Sequence, residues 1–332
     1  MFLFDMIKAV LLGIIQGITE WLPVSSTGHM ILFNSFFPMS SSLAKPDTPE
    51  FAFWGLFLVV IQLGSILAVC VLYFHKLNPF SSRKSISEKR STWDLWFHVL
   101  VASIPGIIGI FLNDYVEKYM NNAIVVAIAL IVFGIGFIVL ESTKHHPKYR
   151  RVGEITYQTA FLIGLFQLIA ALVPGTSRSG ATILGASILG CSRFAASEFS
   201  FFMAIPAMAG ASGLKFLKYF MHYGFSMSGG NIALLVVASI IAFVVSMFAI
   251  RFLMNYIRNH DFKIFGYYRI VVGCCSADLL LPRRIKFKCN LIQSYTGQRL
   301  FQLLPCLLCI IYLTLIWLVS SSCYSQTEAV RR

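Results

Sequence analysis

The sequence predicts an all-α polytopic membrane protein with an inverted-topology repeat, in which each half is a re-entrant helix hairpin followed by three transmembrane helices. The composition gives the membrane class, because 57% of the residues are hydrophobic, only 12% are charged and the mean hydropathy is +0.75. A soluble domain is about half apolar and about a quarter charged. The repeat is indicated by two apolar helices that are each broken by a polar turn and followed by similar apolar segments.

The first broken helix lies at the start of the chain. Residues 6–20 are apolar with helical spacing, Pro23 ends this helix, and residues 30–37 form a short second helix. Neither part reaches the about 20 apolar residues that a comfortable span needs, so we expect a hairpin that enters and leaves on one side. Its polar turn is tolerated at membrane depth only where protein or water surrounds it. Asp5 argues against a cleaved signal peptide.

The second broken helix covers residues 157–189 and is interrupted by Pro-Gly-Thr-Ser-Arg-Ser-Gly-Ala-Thr at 174–182. Pro-Gly ends the incoming helix, and Thr176 or Ser177 can cap the outgoing one. The cap leaves free N–H groups at the positive end of a helix dipole, and the planar fork of Arg178 matches phosphate. We interpret this turn as a phosphate clamp inside the membrane. The alternative is an arginine that extends to the lipid headgroups.

The remaining apolar segments predict the membrane spans. They cover residues 51–74, 93–112, 123–140, 199–220 and 232–254, and a last span begins near residue 264. The basic loops 75–90, 141–154 and 255–263 fall on one side, which the positive-inside rule makes cytoplasmic. The net charge of +13 is concentrated in such clusters, so it indicates contact with anionic lipid and no nucleic-acid partner.

The two broken helices align with each other at a fixed offset. The alignment pairs Gly13 with Gly164, Gln16 with Gln167, Pro23 with Pro174, Ser25 with Thr176 and Ser26 with Ser177. Because three spans separate the halves, the second half is inverted and the two turns are expected to meet near the bilayer midplane. Many transporters have this arrangement. Chance similarity between two apolar helices is the alternative.

If the two turns meet, a carboxylate, an imidazole, a guanidinium and several hydroxyl groups share one pocket. The residues expected there are Glu20, Ser25, Ser26, Thr27, His29, Ser177, Arg178, Ser179 and Thr182. These groups suit phosphoryl transfer, which needs charge neutralisation, a nucleophile and proton transfer. Ser26 or His29 is the candidate nucleophile, and His29 is otherwise a general acid or base with Glu20 as its partner. Gln16 and Glu20 share one helix face and are candidate oxygen ligands for a divalent cation.

The two motifs together resemble the undecaprenyl-pyrophosphate phosphatase family, also called bacitracin-resistance proteins. They are Gln16-x-x-x-Glu20 followed by Leu-Pro-Val-Ser-Ser-Thr-Gly-His29, and Pro-Gly-Thr-Ser-Arg178-Ser-Gly-Ala-Thr182. The resemblance extends from about residue 5 to about residue 273. It implies hydrolysis of undecaprenyl pyrophosphate to the monophosphate carrier lipid for cell-wall synthesis, and hence bacitracin resistance. It also implies a bacterial plasma-membrane location with a site that opens to the outer face.

The resemblance also implies roles for individual residues and a cation, magnesium or calcium. Ser26, His29, Ser177, Arg178 and Thr182 fall on active-site positions of the family. We therefore assign catalysis to Glu20, Ser26, His29 and Arg178, and phosphate contacts to Ser25, Thr27, Ser177, Arg178, Ser179 and Thr182. The family has Glu or Gln at the position of Gln16, so the cation would depend mainly on Glu20.

The chain departs from the family after residue 273. We predict a phosphatase domain over 1–273, with repeat one at 1–141 and repeat two from 155, and an atypical tail at 274–332. Of the eight cysteines, all except Cys70 and Cys191 lie in this tail. Its apolar stretch 300–319 is long enough for an extra span, so an out-of-frame continuation and a genuine appended helix are both open.

A different function class is also open. The inverted repeat alone would suit a transporter or flippase for a lipid phosphate. Both functions need Arg178, but only an enzyme needs a nucleophile and proton-transfer groups. The partners expected in either case are a polyprenyl phosphate lipid and the bilayer, and a single chain and a homodimer are alternatives.

Overall fold

The computed structural model describes residues 2–280, apart from 46–47, 113–115, 117–122, 144–145 and 225–226. The helices in these residues are α1 (Phe2–Thr19), α2 (Ser26–Phe36), α3 (Pro49–Leu72), α4 (Ile86–Phe111), α5 (Ala123–Ser142), α6 (Tyr157–Leu172), α7 (Arg178–Ile188), α8 (Arg193–Tyr223), α9 (Gly229–Asn259) and α10 (Lys263–Leu280). Short helical turns occur at Ser40–Leu43, Phe74–Leu77 and Val152–Glu154. The described part of the chain contains no strand beyond an isolated bridge between Tyr149 and Cys191. The all-α class is confirmed.

Among the residues described, six helices are long and apolar enough to cross a membrane, namely α1, α3, α4, α5, α8 and α9. The chain is therefore a multi-pass membrane protein, as predicted. One expectation needs correction. The first helix was expected to be too short to span, but α1 begins at Phe2 and its 18 residues would be about 27 Å long.

The last helix, α10, also differs from the expectation. The predicted tail was expected to begin at residue 274, but the backbone of the last helix stays helical to Leu280. The helix can continue to Leu280 because residues 274–280 contain no proline, and the first proline after Cys274 is Pro282. The predicted tail beyond residue 280, including its apolar stretch 300–319, lies outside the described residues.

The long helices pack in matched pairs that follow the proposed repeat. α1 packs along α9 and α6 packs along α4, while α5 packs against α10 and α3 against α8. The first helix of each proposed repeat, α1 or α6, thus contacts the second long helix that follows the broken helix in the opposite half. A Cβ added at Gly13 would collide with the carbonyl oxygen of Ala238, and one at Gly164 with that of Ala102. This pairing agrees with a two-fold repeat, although the inversion relative to the membrane stays a prediction.

Two ion pairs hold the start of α8 on the side of the basic loops. Lys76 Nζ lies 2.7 Å from Glu198 Oε2, and Arg193 Nε lies 2.9 Å from Glu141 Oε1. The same Glu141 oxygen accepts a bond from the backbone N–H of Phe262. Glu141 therefore joins the ends of α5 and α8 to the α9–α10 link, which fixes α10 relative to the first half.

Candidate active site

The two broken helices resume at serine residues with the same unusual backbone. Ser25 (φ 76°) and Ser177 (φ 69°) are the non-glycine residues with positive φ in the described part of the chain. The Oγ atom of each accepts a hydrogen bond from the backbone N–H three residues later, at Gly28 and Gly180. The structural partner of Ser25 is thus Ser177, and the sequence alignment with Thr176 is wrong by one residue. The second turn has one residue more after its proline.

The two turns lie against each other. Ser179 Oγ of the second turn donates to the carbonyl oxygen of Leu22 in the first, at 3.2 Å. Arg178 Nη2 lies 3.2 Å from Glu20 Oε1, and both side chains are largely buried. The structure therefore brings the carboxylate of the first motif and the guanidinium of the second into one cluster.

Glu20 lies at the centre of this cluster and is 3% exposed. Its Oε2 accepts from Ser26 Oγ at 2.7 Å and from Gln16 Nε2 at 3.0 Å, and its Oε1 faces Arg178. The candidate nucleophile Ser26 is therefore already hydrogen-bonded to a carboxylate.

Arg178 does not extend toward lipid headgroups. Its Nη1 donates to the carbonyl oxygen of Ser200 at 2.9 Å, and its Cζ lies 5.8 Å from the centre of the Trp21 ring. Thr182 Oγ1 lies 2.9 Å from the carbonyl oxygen of Arg178 and 2.6 Å from Ser200 Oγ. Ser200 thus accepts a hydrogen bond from the Arg178 guanidinium, and Thr182 links Ser200 to the Arg178 backbone. Ser200 is a site residue that the motif reasoning missed, because it lies on α8.

His29 has partners other than the predicted one. Its Nδ1 lies 2.7 Å from the carbonyl oxygen of Ser25, and its Nε2 lies 2.6 Å from the hydroxyl of Tyr268. The two rings are nearly parallel, with centroids 5.6 Å apart. The expectation that Glu20 is the partner of His29 is therefore wrong, since Glu20 is bonded to Ser26 and Arg178 and both His29 nitrogens are engaged elsewhere.

The remaining hydroxyl residues divide into two groups. Ser177 Oγ and Ser179 Oγ lie 3.1 Å apart at the start of α7, and Ser179 Oγ also donates to the carbonyl oxygen of Leu22 in the first turn. Thr27 is exposed and lies outside the buried cluster. The structure thus brings most of the predicted residues together, whereas His29 bonds to Ser25 and Tyr268 and Thr27 is exposed.

Two neighbouring residues of α10 contact the turns and were not predicted. Tyr268 bonds to His29, and Arg269 is fully buried with its guanidinium against backbone carbonyl groups of both turns. One sequence signal was available, because an arginine inside an apolar span is expensive and is expected to have a specific partner. Which partner it meets depends on how α10 packs.

Gln16 and Glu20 are suitable ligands for a hard cation. Gln16 Oε1 is buried and has no hydrogen-bond partner within the described residues, although Gln16 Nε2 is bonded to Glu20. Magnesium and calcium prefer such oxygen ligands. The described residues contain no group of three or more His, Cys, Asp or Glu side chains that could hold a metal ion. The residues present therefore fit a cation that shares its coordination with water and a phosphate.

Comparison with known proteins identifies the family of this chain. The family described as Bacitracin resistance protein BacA matches residues 9–275. The chain is 55% identical over 272 residues to Undecaprenyl-diphosphatase 1 of Clostridioides difficile (strain 630), covering 82% of this chain and 94% of that protein. It is 52% identical over 274 residues to Undecaprenyl-diphosphatase of Lactiplantibacillus plantarum (strain ATCC BAA-793 / NCIMB 8826 / WCFS1), covering 82% and 96%. The match includes both turns and α10, and the chain therefore belongs to the bacitracin resistance protein BacA family.

Proposed function

We propose that this chain hydrolyses undecaprenyl pyrophosphate to undecaprenyl phosphate and inorganic phosphate, as the names of its relatives indicate for those proteins. The observation that carries the proposal is the contact set of Glu20, which joins the hydroxyl of Ser26 to the guanidinium of Arg178. Ser26 as nucleophile, Glu20 as proton acceptor and the Arg178 guanidinium as phosphate-binding group could thus reach the same phosphoryl group.

Phosphate binding would use Arg178 and the starts of α2 and α7. The first N–H groups of a helix have no acceptor within the helix, and the helix dipole is positive there. Two such starts lie beside each other because Ser179 contacts Leu22. In the bound state the pyrophosphate oxygens would replace part of the Glu20 contact to Arg178, which frees Glu20 for chemistry.

The geometry favours Ser26 as the nucleophile over His29. Ser26 Oγ would attack the terminal phosphorus, its proton would pass to Glu20 Oε2, and the bond to the bridging oxygen would break to release undecaprenyl phosphate. Water would then hydrolyse the phosphoserine and release inorganic phosphate. His29 Nε2 would have to leave Tyr268 before it could attack. Direct attack by water is the remaining alternative.

A magnesium or calcium ion is part of the proposal. When bound, it would neutralise charge on the phosphoryl oxygens. Gln16 Oε1 and Glu20 are the groups of this chain that would hold it, and Gln16 would turn its free amide oxygen toward it. Glu20 has one oxygen toward Arg178 and one toward Ser26, so its carboxylate can keep one protein contact while it binds the ion.

The test is phosphate release from undecaprenyl pyrophosphate by the detergent-purified chain, with magnesium or with EDTA. We expect Arg178→Ala and Ser26→Ala each to lower the rate about 100-fold or more. Matched controls are Arg83→Ala in an exposed loop and Ser35→Ala on the exposed side of α2. If Ser26→Ala releases phosphate at the rate of the control variants, Ser26 is not the nucleophile, and His29 or water attacks instead.

Lipid-phosphate transport is the second candidate, but the relatives' names favour hydrolysis. Transport by reconstituted protein that also lacks phosphate release would support it. The family resemblance implies that the site opens to the outer face, and adding a water-soluble, short-chain analogue of the lipid pyrophosphate to one side of oriented vesicles tests this. A homodimer is tested by the mass of the protein in lipid nanodiscs.

A further inference from the structure

We propose that Tyr268 and Arg269 of α10 are positioning residues that hold the two re-entrant turns together as one active site. Arg269 acts through backbone carbonyl groups of both turns, and Tyr268 acts through His29. The pair lies outside both sequence motifs and in the second half of the chain. The inference rests on the proposed phosphatase function and deepens it, because it names what keeps the two half-sites in register.

Arg269 bridges the turns with its guanidinium fork. Nη1 donates to the carbonyl oxygen of Pro23 in the first turn at 3.1 Å. Nη2 donates to those of Thr176 at 2.7 Å and Gly175 at 3.2 Å in the second turn. The two turns are far apart in the chain, so one side chain from a third element fixes their separation.

Lysine cannot reproduce this bridge. Arginine offers five N–H donors on a rigid plane, whereas lysine offers three donors on one nitrogen. One ammonium group would have to choose between Pro23 and Thr176 or sit between them at poor geometry. A lysine at position 269 therefore keeps the charge but loses the link between the turns, which separates the two contributions of Arg269.

The charge of Arg269 also favours an anion between the turns. The ion pairs of the described residues do not include Arg269, and its partners are neutral carbonyl groups. Its positive charge therefore adds to the positive ends of α2 and α7. Carbonyl groups that would otherwise point their negative ends into the site are held by the guanidinium.

Gly180 is matched to Arg269. A Cβ added at Gly180 would lie 2.6 Å from Arg269 Nη1, which is closer than a real Cβ contact allows. A Cβ added at the corresponding Gly28 would come no closer than 3.3 Å, to Ser25 Oγ. The glycine of the second turn thus leaves the space that the guanidinium fills, and an alanine there would push Arg269 away from the first turn.

Tyr268 contacts the second ring nitrogen of His29. The carbonyl oxygen of Ser25 can only accept, so Nδ1 carries the hydrogen in that bond. Nε2 is then the nitrogen that faces the hydroxyl of Tyr268, and the stacked ring restricts rotation of the imidazole. Tyr268 therefore holds the His29 ring in one orientation, and a proton that moves between Nε2 and the substrate would pass through the Tyr268 hydroxyl.

The experiment compares full-chain variants in detergent by phosphate release and by binding of a non-hydrolysable methylene analogue of the lipid pyrophosphate. We expect Arg269→Lys to weaken analogue binding about 10-fold and to lower kcat/KM about 100-fold, since misplacement of about 1 Å can have that effect. Arg258→Lys is the exposed control. Equal binding and rates for Arg269→Lys and wild type would overturn the role of Arg269.

The second part tests Tyr268 with its neighbour as the control. Tyr268→Phe removes only the hydroxyl, so we expect kcat to fall about 10-fold while KM and analogue binding stay unchanged. Tyr267→Phe, at an exposed position, should change neither. If Tyr268→Phe behaves like Tyr267→Phe, Tyr268 has no positioning role.

Two further measurements cover the cases in which Arg269→Lys does not fold or the wild type releases no phosphate. If Arg269→Lys does not fold, as judged by size exclusion and thermal unfolding, Gly180→Ala replaces it, with Gly28→Ala as the matched control. We expect the larger loss of analogue binding in Gly180→Ala, and equal effects of both would count against the bridge. If wild type binds the analogue but releases no phosphate, the proposed function fails, and loss of binding in Arg269→Lys would still support the positioning role.

Discussion

Ser25 and Ser177 adopt the same positive φ, at 76° and 69°, and each caps the re-entrant helix that follows it. Positive φ is strained for residues with a Cβ, at about 1–3 kcal/mol each. The strain is offset in part because the side-chain oxygen satisfies a helix N–H that has no acceptor within the helix. The two half-sites therefore share one turn geometry, even though their sequences differ.

This geometry predicts different effects of alanine and glycine at the two caps. Alanine loses the cap and keeps the strain, whereas glycine loses the cap and relieves the strain. We expect Ser25→Ala to be less stable than Ser25→Gly by about 1–2 kcal/mol, with the same order at Ser177. Thermal unfolding in detergent measures this difference. Equal stability of the two variants at both sites would show that positive φ is not maintained there.

Glu20→Gln should nearly abolish hydrolysis without unfolding the protein. The amide can still accept from Ser26 and remain next to Arg178, but it cannot take a proton or pair a charge. We expect phosphate release to fall about 100-fold or more. Glu50→Gln, at an exposed position on α3, is the control. A Glu20→Gln enzyme with the rate of Glu50→Gln would exclude Glu20 as the base.

Gln16→Glu should increase the affinity for the activating cation. A second carboxylate beside Glu20 adds charge to the ligand set, and ligand charge tunes cation affinity. We expect the magnesium concentration for half-maximal activity to fall about 10-fold. Gln158→Glu adds the same charge at an exposed position of α6 and should leave the midpoint unchanged. An unchanged midpoint for Gln16→Glu would remove Gln16 from the cation site.

Gly175→Ala should destabilise the second turn. Gly175 has φ 94°, and an added Cβ would lie 2.7 Å from the carbonyl oxygen of Val126 on α5. We expect a loss of about 2 kcal/mol or more, from strain and from displacement of α5. Gly210→Ala, in open space on α8, should not lower stability. Unfolding temperatures of the two variants give the answer, and similar values would contradict the close contact.

The candidate site residues differ between matching positions of the two turns. When the two prolines are aligned, Ala171 of the second half corresponds to Glu20 of the first. When the two capping serines are aligned, Ser26 of the first half corresponds to Arg178 of the second. In the proposed mechanism the base and the nucleophile would thus come from the first turn, and the phosphate-binding guanidinium would come from the second. A site with one pair of opposite charges results from two similar turns.

The sequence by itself determined the membrane class, most of the helices and the two polar turns, and it singled out Glu20, Ser26 and Arg178 as candidate site residues. These features depend on composition, on helical periodicity and on turn residues close together in the chain. Local hydrogen bonding and hydrophobicity specify such features without knowledge of the rest of the fold.

Only the tertiary structure decided which groups become partners. It assigned Ser26 to Glu20 and His29 to Tyr268, and it left Thr27 outside. It also brought Arg269 between the turns, because α10 packs along α5 and reaches both. The physical reason is that a hydrogen bond depends on ångström-scale distances, and for residues far apart in the chain these distances are set by how helices pack.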